Sequence, residues 1–475
     1  MAQSEVEATL ADESNGLFWL DDGPQVRGTL IRGQEGGRVV THGIAREPKF
    51  VRFHDGPGFI GMDISGDPKD AVADSAPLPL MGTLDDGRLV TVLDAWLADT
   101  ALSREQTFSG TKVLVDAHVP TNDTVFRAAR IALPQPRHWY GVVPGGPAID
   151  VSLSDTSGQL RAFADGRSLW LELALTDGLT EREWERRFWN RCLTLLRLWA
   201  NASMRQERIQ LSPAANTWGE VIYLSAPQPT SFSSVESLLP TGLITLQHFA
   251  EALTLFEALA PIPDIASKHM VHEVTVELAV LANASSLEGF HRRCHEKSKP
   301  FPDINEKKAG VVAGAAAEAA ISKAVDVGAV DPADKESSIA RLKANFRHFN
   351  QPTFAERLNE LLPPVESIAP GLIGQDRDAW ISAVVSTRNL EAHRLPKTAK
   401  NYEKRTDDYY QLAVSTGWVL RINLLLRLGV DPELLRSRLH EHQRFLFALA
   451  NMDRCWFPWP GSRIDEFRAS KPPTG

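Results

Sequence analysis

Arg388, Asn389 and His393 fall within one hexamer, Arg-Asn-Leu-Glu-Ala-His. Residues of these types at this spacing suit phosphodiester chemistry. An arginine offers a planar fork of donors that matches a phosphate. A histidine titrates near neutrality and can take up or release a proton. Together they can cleave RNA without a metal: the ribose 2′-OH is the internal nucleophile, the histidine moves protons, and the arginine stabilises the anionic phosphorane. The spacing is weak evidence on its own. With 36 Arg and 13 His in 475 residues, about one Arg-x4-His pair is expected by chance. The competing reading is a surface arginine paired with carboxylates and a histidine that caps its own helix.

A second cluster has metal-like spacing. His291, Cys294 and His295 stand at i, i+3 and i+4, with Glu288 one turn earlier, so the four can line one side of a helix. No HExxH and no second Cys/His pair completes a recognisable site, and Arg292, Arg293, Lys297 and Lys299 would oppose a cation. A solvated face fits this cluster better. If it binds anything, RNA backbone suits Arg292 and Arg293, with Arg394 beside the hexamer, better than zinc. The sequence has no GxxxxGK[ST] and no GxSxG, which leaves nucleotide hydrolysis and a serine-hydrolase elbow without an anchor. Eight of the twelve tryptophans, Trp19, Trp96, Trp139, Trp170, Trp184, Trp189, Trp199 and Trp218, lie in the first half. A stacking platform is conceivable there, but helical spacing assigns Trp184 and Trp199 to packing.

The elements that must position these residues divide the chain in two. Short strand-prone runs, Val26–Ile31, Gly37–His42, Lys49–Phe53, Lys112–Val119, Val125–Leu133, Ile149–Leu153 and Ser168–Leu175, alternate with Gly- and Pro-containing turns. Met81–Leu93 predicts a hairpin turning at Asp86-Gly87. One helix interrupts them, opened by a Thr180/Glu183 capping box and carrying an apolar stripe that needs the sheet as partner. Strands over Arg208–Leu211 and Glu220–Leu224 would close this part. After a Pro/Ser-rich stretch at 226–242, helical periodicity takes over: Leu246–Leu259, about Val271–His295, Arg341–Leu362, Arg377–Arg394, Asp407–Leu428 and Pro432–Met452. The hexamer therefore ends a helix over Ala379–Arg394 that should stop before Pro396. Asn389 and His393 share a face; Arg388 and His393 lie about 140° apart around it. A helix C-terminus favours imidazolium and should raise the histidine pKa. The Ala/Gly-rich stretch 307–338 predicts an exposed insertion, part weak helix and part flexible loop. The Pro-punctuated aromatic run at 455–463 reads as a docking tail.

Composition sets outer limits. Apolar residues make up 43% and charged residues 23%, ordinary for a folded protein. The net charge of −9 belongs to residues 1–250, with 22 basic against 31 acidic side chains; residues 251–475 carry 29 of each. Nonspecific coating of long duplex DNA is disfavoured, and any nucleic-acid contact should be local. Three distant cysteines (Cys192, Cys294, Cys455), an acidic N-terminal stretch unlike a signal peptide, and no long apolar run predict a reduced, soluble, cytoplasmic protein.

The hexamer, the earlier segment ELAVLANASSLEGFHRR (277–293) and the later GWVLRINLLLRLGV (417–430) resemble the HEPN ribonuclease superfamily, and within it the ApeA-like HEPN proteins of bacterial anti-phage defence by abortive infection. The segments GLFWLDD…VRGTLI (16–31) and GTLDDGRLVTVLDAW (82–96) resemble the β-rich domain that accompanies them. The resemblance implies an α+β multidomain chain: a β-rich N-terminal sensor or regulatory domain, 1–235, then an all-α HEPN bundle, 236–475, with an insertion at about 307–338. It implies catalysis by Arg388 and His393, with Asn389 orienting the histidine or the phosphate. Glu288 stands where many relatives carry a helix-borne acid facing the motif; pairing with Arg292 is the plainer reading. The expected activity is endoribonucleolytic and cofactor-free, with RNA (tRNA among the candidates), a second copy of the chain and a phage-derived trigger as partners, and no membrane. Two alternatives stay open: a non-catalytic RNA- or protein-binding module, and a metal-dependent hydrolase using His291 and His295.

Overall fold

The computed structural model describes residues 10–21, 23–33, 36–46, 52–56, 59–63, 76–100, 105–136, 140–166, 168–201, 208–214, 217–224, 237–268, 274–295, 300–301, 303–346, 350–374, 376–392 and 402–455. The chain forms two compact units, residues 1–235 with 240–257, and 236–239 with 258–475.

The first unit is built on antiparallel strands. These are β1 (Glu13–Leu20), β2 (Val26–Gly33), β3 (Gly36–Thr41), a separate pair β4 (Arg52–Gly56) and β5 (Phe59–Asp63), then β6 (Leu78–Leu84), β7 (Leu89–Thr100), β8 (Gln106–Gly110), β9 (Lys112–Val115) and β10 (Val125–Pro136). They continue as β11 (Ile149–Ser152), β12 (Ser157–Asp165), β13 (Ser168–Thr180), β14 (Ile209–Ala214) and β15 (Thr217–Tyr223). Strands β7-β6-β1-β2-β3-β8 close on themselves, because β7 pairs with both β6 and β8. The result is a six-stranded barrel filled by Phe18, Leu30, Val39, Leu80, Val90, Val92 and Phe108. Strand β7 also pairs with β9 over Val90–Leu93. It changes partner at Asp94, whose φ of 53° bends the strand. From β9 an open sheet runs β15-β14-β10-β13-β12-β11.

Alternation gives that sheet one apolar face, including Ala129, Ile131, Leu160, Leu171, Leu173, Ile209 and Leu211, all buried. The expected helix lies on it: α1 (Glu181–Trp184), a π-helical stretch Glu185–Trp189, and α2 (Asn190–Ala200). The Thr180/Glu183 capping box is present, with the Thr180 amide donating to Glu183 at 3.0 Å. Trp170, Trp184, Trp189 and Trp199 are fully buried core residues, not a stacking platform. Trp139 lies outside the described residues. Helix α3 (Leu246–Leu259), placed by periodicity with the helical half, counts with the first unit through Glu257. Glu257 pairs with buried Arg187 at 2.7 Å, and Trp199 Nε1 donates to the Pro240 carbonyl at 3.1 Å.

The second unit is helical. It comprises α4 (Ile262–Lys268), α5 (Val276–Cys294), α6 (Glu306–Asp326), α7 (Lys335–Phe346), α8 (Phe354–Ile368), α9 (Arg377–Ala392), α10 (Tyr402–Arg427), α11 (Pro432–Glu441) and α12 (Gln443–Cys455). Helix α5 packs against α10, α9 and α8, burying Val280, Ala284, Leu287 and Phe290. Trp380 of α9 is fully buried and donates to Ser415 Oγ at 3.0 Å, tying α9 to α10.

Three expectations need correction. The segment 307–338 is mostly exposed, as expected, but more helical than expected: Glu306–Asp326 is a 21-residue helix, α6, which folds against α7 after the connection 327–334. Alanine has the highest helix propensity, and the i, i+4 row Ala309, Ala313 and Ala317 is buried. Arg341–Leu362 is two helices, because the chain turns before Pro352 and a Thr353/Glu356 capping box starts α8 afresh. Helix α8 then runs through Pro363 and Pro364 to Ile368; buried Val365 and Ile368 outweigh the lost amide donors. Pro432–Met452 likewise breaks at His442, whose Nδ1 accepts from the Phe445 amide at 3.2 Å and starts α12. Most of the 455–463 run lies outside the described residues.

Candidate active site

Helix α9 starts with Asp376, whose carboxylate accepts from the Ala379 amide at 2.9 Å. Trp380, Ile381, Val384 and Thr387 are its buried side. That anchoring leaves Arg388 half-buried and Asn389 exposed in the last described turn. His393 and Arg394 lie outside the described residues.

Arg388 meets Glu288 of α5. Arg388 Nη2 donates to Glu288 Oε2 at 2.9 Å, while Arg292 Nη2 donates to Glu288 Oε1 at 2.7 Å. One carboxylate, 17% exposed, thus holds two guanidinium groups that are 31% and 54% exposed. Glu288 therefore both pairs with Arg292 and faces the hexamer; the two readings are one arrangement. Asn389 Oδ1 accepts from Arg388 Nη1 at 3.2 Å. The Arg388 guanidinium also lies over the Phe354 ring, 5.7 Å from its centroid, a cation–π contact. An arginine carries five N–H donors; these contacts use two, and the group keeps donors for an incoming anion. Arg293 is turned elsewhere, donating to the Ala260 carbonyl at 2.7 Å.

The neighbouring histidines form a buried hydrogen-bonded chain. His291 is fully buried; its Nε2 lies 2.9 Å from Glu360 Oε2, and Arg357 Nη1 lies 3.2 Å from its Nδ1. An arginine can only donate, so Nδ1 accepts and Nε2 carries the proton. Burial pushes the His291 pKa down, against the pull of Glu360. His295 stacks on it, ring centroids 4.9 Å apart. Ligand atoms of His291, His295 and Glu360 come within 4.8 Å of one another. The proton inventory opposes a cation there: metal at Nε2 would move the proton to Nδ1, against the Arg357 donor. Burial also lowers the Arg357 pKa, and Arg292 lowers it further. Burial raises that of Cys294.

The sequence reading did not single out Phe354, Arg357 or Glu360. They recur every three residues after the Thr353 cap, so a common side was readable; that this side meets α5 and α9 was not.

Residues 281–434 match the Apea-like HEPN family. The match covers about a third of the chain, all of it within the helical unit. Glu288 and Arg388, 100 residues apart, both lie inside the matched segment, as do His291, Arg357 and Glu360. The matched family is generally RNase-like. No curated protein and no solved structure matches the chain. Among the described residues no helix is long and apolar enough to cross a membrane.

Proposed function

We propose that the chain is a metal-independent HEPN endoribonuclease acting in anti-phage defence, with RNA, tRNA included, as its substrate. The observation that carries this reading is the half-buried Arg388 guanidinium, held by Glu288 and Asn389. Its fork would bind a non-bridging phosphate oxygen and stabilise the phosphorane. His393, four residues after Asn389 in the sequence, would take the 2′-OH proton as that oxygen attacks phosphorus, or deliver one to the departing 5′-oxygen. Asn389 would keep the Arg388 fork in plane. The active unit is a homodimer whose two motifs share one cleft, so that one histidine accepts a proton while the other donates. The β-rich unit senses a phage-derived trigger or restrains the nuclease, in the cytoplasm.

The test is cleavage of total RNA by the purified chain in EDTA. Cleavage that leaves 2′,3′-cyclic phosphate and 5′-hydroxyl ends, and is lost in His393→Ala and in Arg388→Ala, supports the reading. Cleavage that survives Arg388→Ala, or that zinc restores after EDTA has abolished it, overturns it. Sequencing RNA ends from cells producing wild type or His393→Ala identifies the substrate.

A further inference from the structure

We infer that Phe354 is a base-stacking residue of the nuclease site. The inference rests on the ribonuclease reading above and adds to it the residue that holds the base.

Phe354 is the first residue of α8, directly after Thr353. The capping box locks that turn: the Thr353 amide donates to Glu356 Oε2 at 2.6 Å, and the Glu356 amide to Thr353 Oγ1 at 3.3 Å. The other large apolar side chains of α8, Leu358, Leu361, Leu362, Val365 and Ile368, are buried. Phe354 is not; it stays half-exposed beside Arg388. An aromatic ring on a rigid turn, partly open to solvent and 5.7 Å from the guanidinium carbon, lies about where the base of a nucleotide would fall once its phosphate is on Arg388.

The chemistry requires such a contact. Attack by the 2′-OH needs the nucleophile, phosphorus and leaving oxygen in line. An A-form duplex holds the 2′-OH to one side of its own phosphate, so the nucleotide must swing out of the stack before it reacts. Proteins stabilise splayed nucleotides by stacking bases on aromatic side chains or arginine planes. Phe354 and Arg388 supply both kinds of surface, the guanidinium lying over the ring. Arg292, more than half exposed on the far side of Glu288, suits the next phosphate along the strand.

The experiment uses the full chain carrying His393→Ala, which binds without cutting. Its affinities are measured for one fluorescent RNA oligonucleotide, single-stranded and annealed to its complement. Tighter binding of the single strand is expected. Phe354→Leu, which keeps an apolar side chain, should weaken single-strand binding about tenfold and leave duplex binding unchanged; Phe354→Trp should restore it. Equal losses on both RNAs, no loss on either, or a Phe354→Trp protein as weak as Phe354→Leu would overturn the inference. If Phe354→Leu fails to fold, 2-aminopurine beside the scissile position reports on the Phe354-bearing chain: quenching on binding supports stacking, and unchanged emission refutes it. Failure of the His393→Ala chain to bind any RNA removes the ribonuclease reading itself. Cleavage by wild type with Phe354→Leu unaffected removes only this inference.

Discussion

Glu288 Oε2 lies 2.9 Å from Arg388 Nη2 across the α5–α9 contact, while its other oxygen holds Arg292. A carboxylate that fixes two guanidinium groups sets their direction more than their energy. Partly exposed pairs of this kind contribute about 1 kcal/mol or less to stability. Glu288→Ala should therefore melt within a few degrees of wild type yet cut RNA at least tenfold more slowly, since misplaced groups cost rate steeply. A wild-type rate in Glu288→Ala would show that Arg388 needs no such support.

Arg388→Lys keeps the charge but loses the planar fork. We expect cleavage to fall by ~100-fold or more, the scale of losing one transition-state donor, with circular dichroism unchanged. Near-normal cleavage by the lysine protein would remove the phosphate-clamp role.

His291 makes the helical unit acid-sensitive. Its pKa is lowered in the folded chain by burial, so the folded state prefers the neutral ring and the unfolded state binds the proton more readily. The stabilisation is complete above the unfolded value of about 6.5 and is lost as pH falls through the lower folded value. Melting temperature should drop on acidification below pH ~6.5. His291→Gln can still accept from Arg357 and donate to Glu360 but does not titrate, so its drop should be shallower. Parallel melting curves for the two proteins would refute this assignment.

Truncation tests where the first unit ends. Residues 1–235 alone lose Glu257, which pairs with buried Arg187, and the Pro240 carbonyl that accepts from Trp199. Arg187 keeps its pair with Asp155, so the larger cost is the apolar surface left uncovered when Phe249, Leu253 and Phe256 of α3 are removed. Residues 1–259 should give a soluble, β-rich product and residues 1–235 a poorly soluble one. Equal behaviour of the two fragments would show that α3 contributes nothing to the unit.

A shared site predicts a dimer. A single chain offers one histidine in the hexamer, and Asn389 is a poor proton donor or acceptor, whereas two-fold pairing supplies a second histidine. The active species should have the mass of a dimer at assay concentration. An enzyme that stays monomeric with RNA bound, and still cuts, would sink this model of catalysis.

How much was legible from residues alone differs by element. Local chemistry sufficed where neighbours in sequence decide the outcome. The Thr180/Glu183 box starts a helix because its two partners are three residues apart. The hairpin at Asp86-Gly87 turns because Gly87 accepts a φ of 87°. Leu246–Leu259 is a helix with the bounds that its periodicity implies. Other features depended on contacts between distant residues. The Ala309, Ala313 and Ala317 row is apolar too weakly to announce a partner, yet α7 covers it and the helix is complete. Closure of the barrel required β7 to change partners at Asp94, which no alternation pattern encodes. At the site, the hexamer supplied Arg388 and Asn389 by type and order. Only packing of α5 and α8 around α9 put Glu288 on the guanidinium, Phe354 beside it and Arg357 against His291. Sequence spacing fixes which side of a helix a residue occupies, because the helical repeat is a local property. Which side of which other helix it meets is decided by how the apolar faces bury one another, and that is settled only by the whole fold.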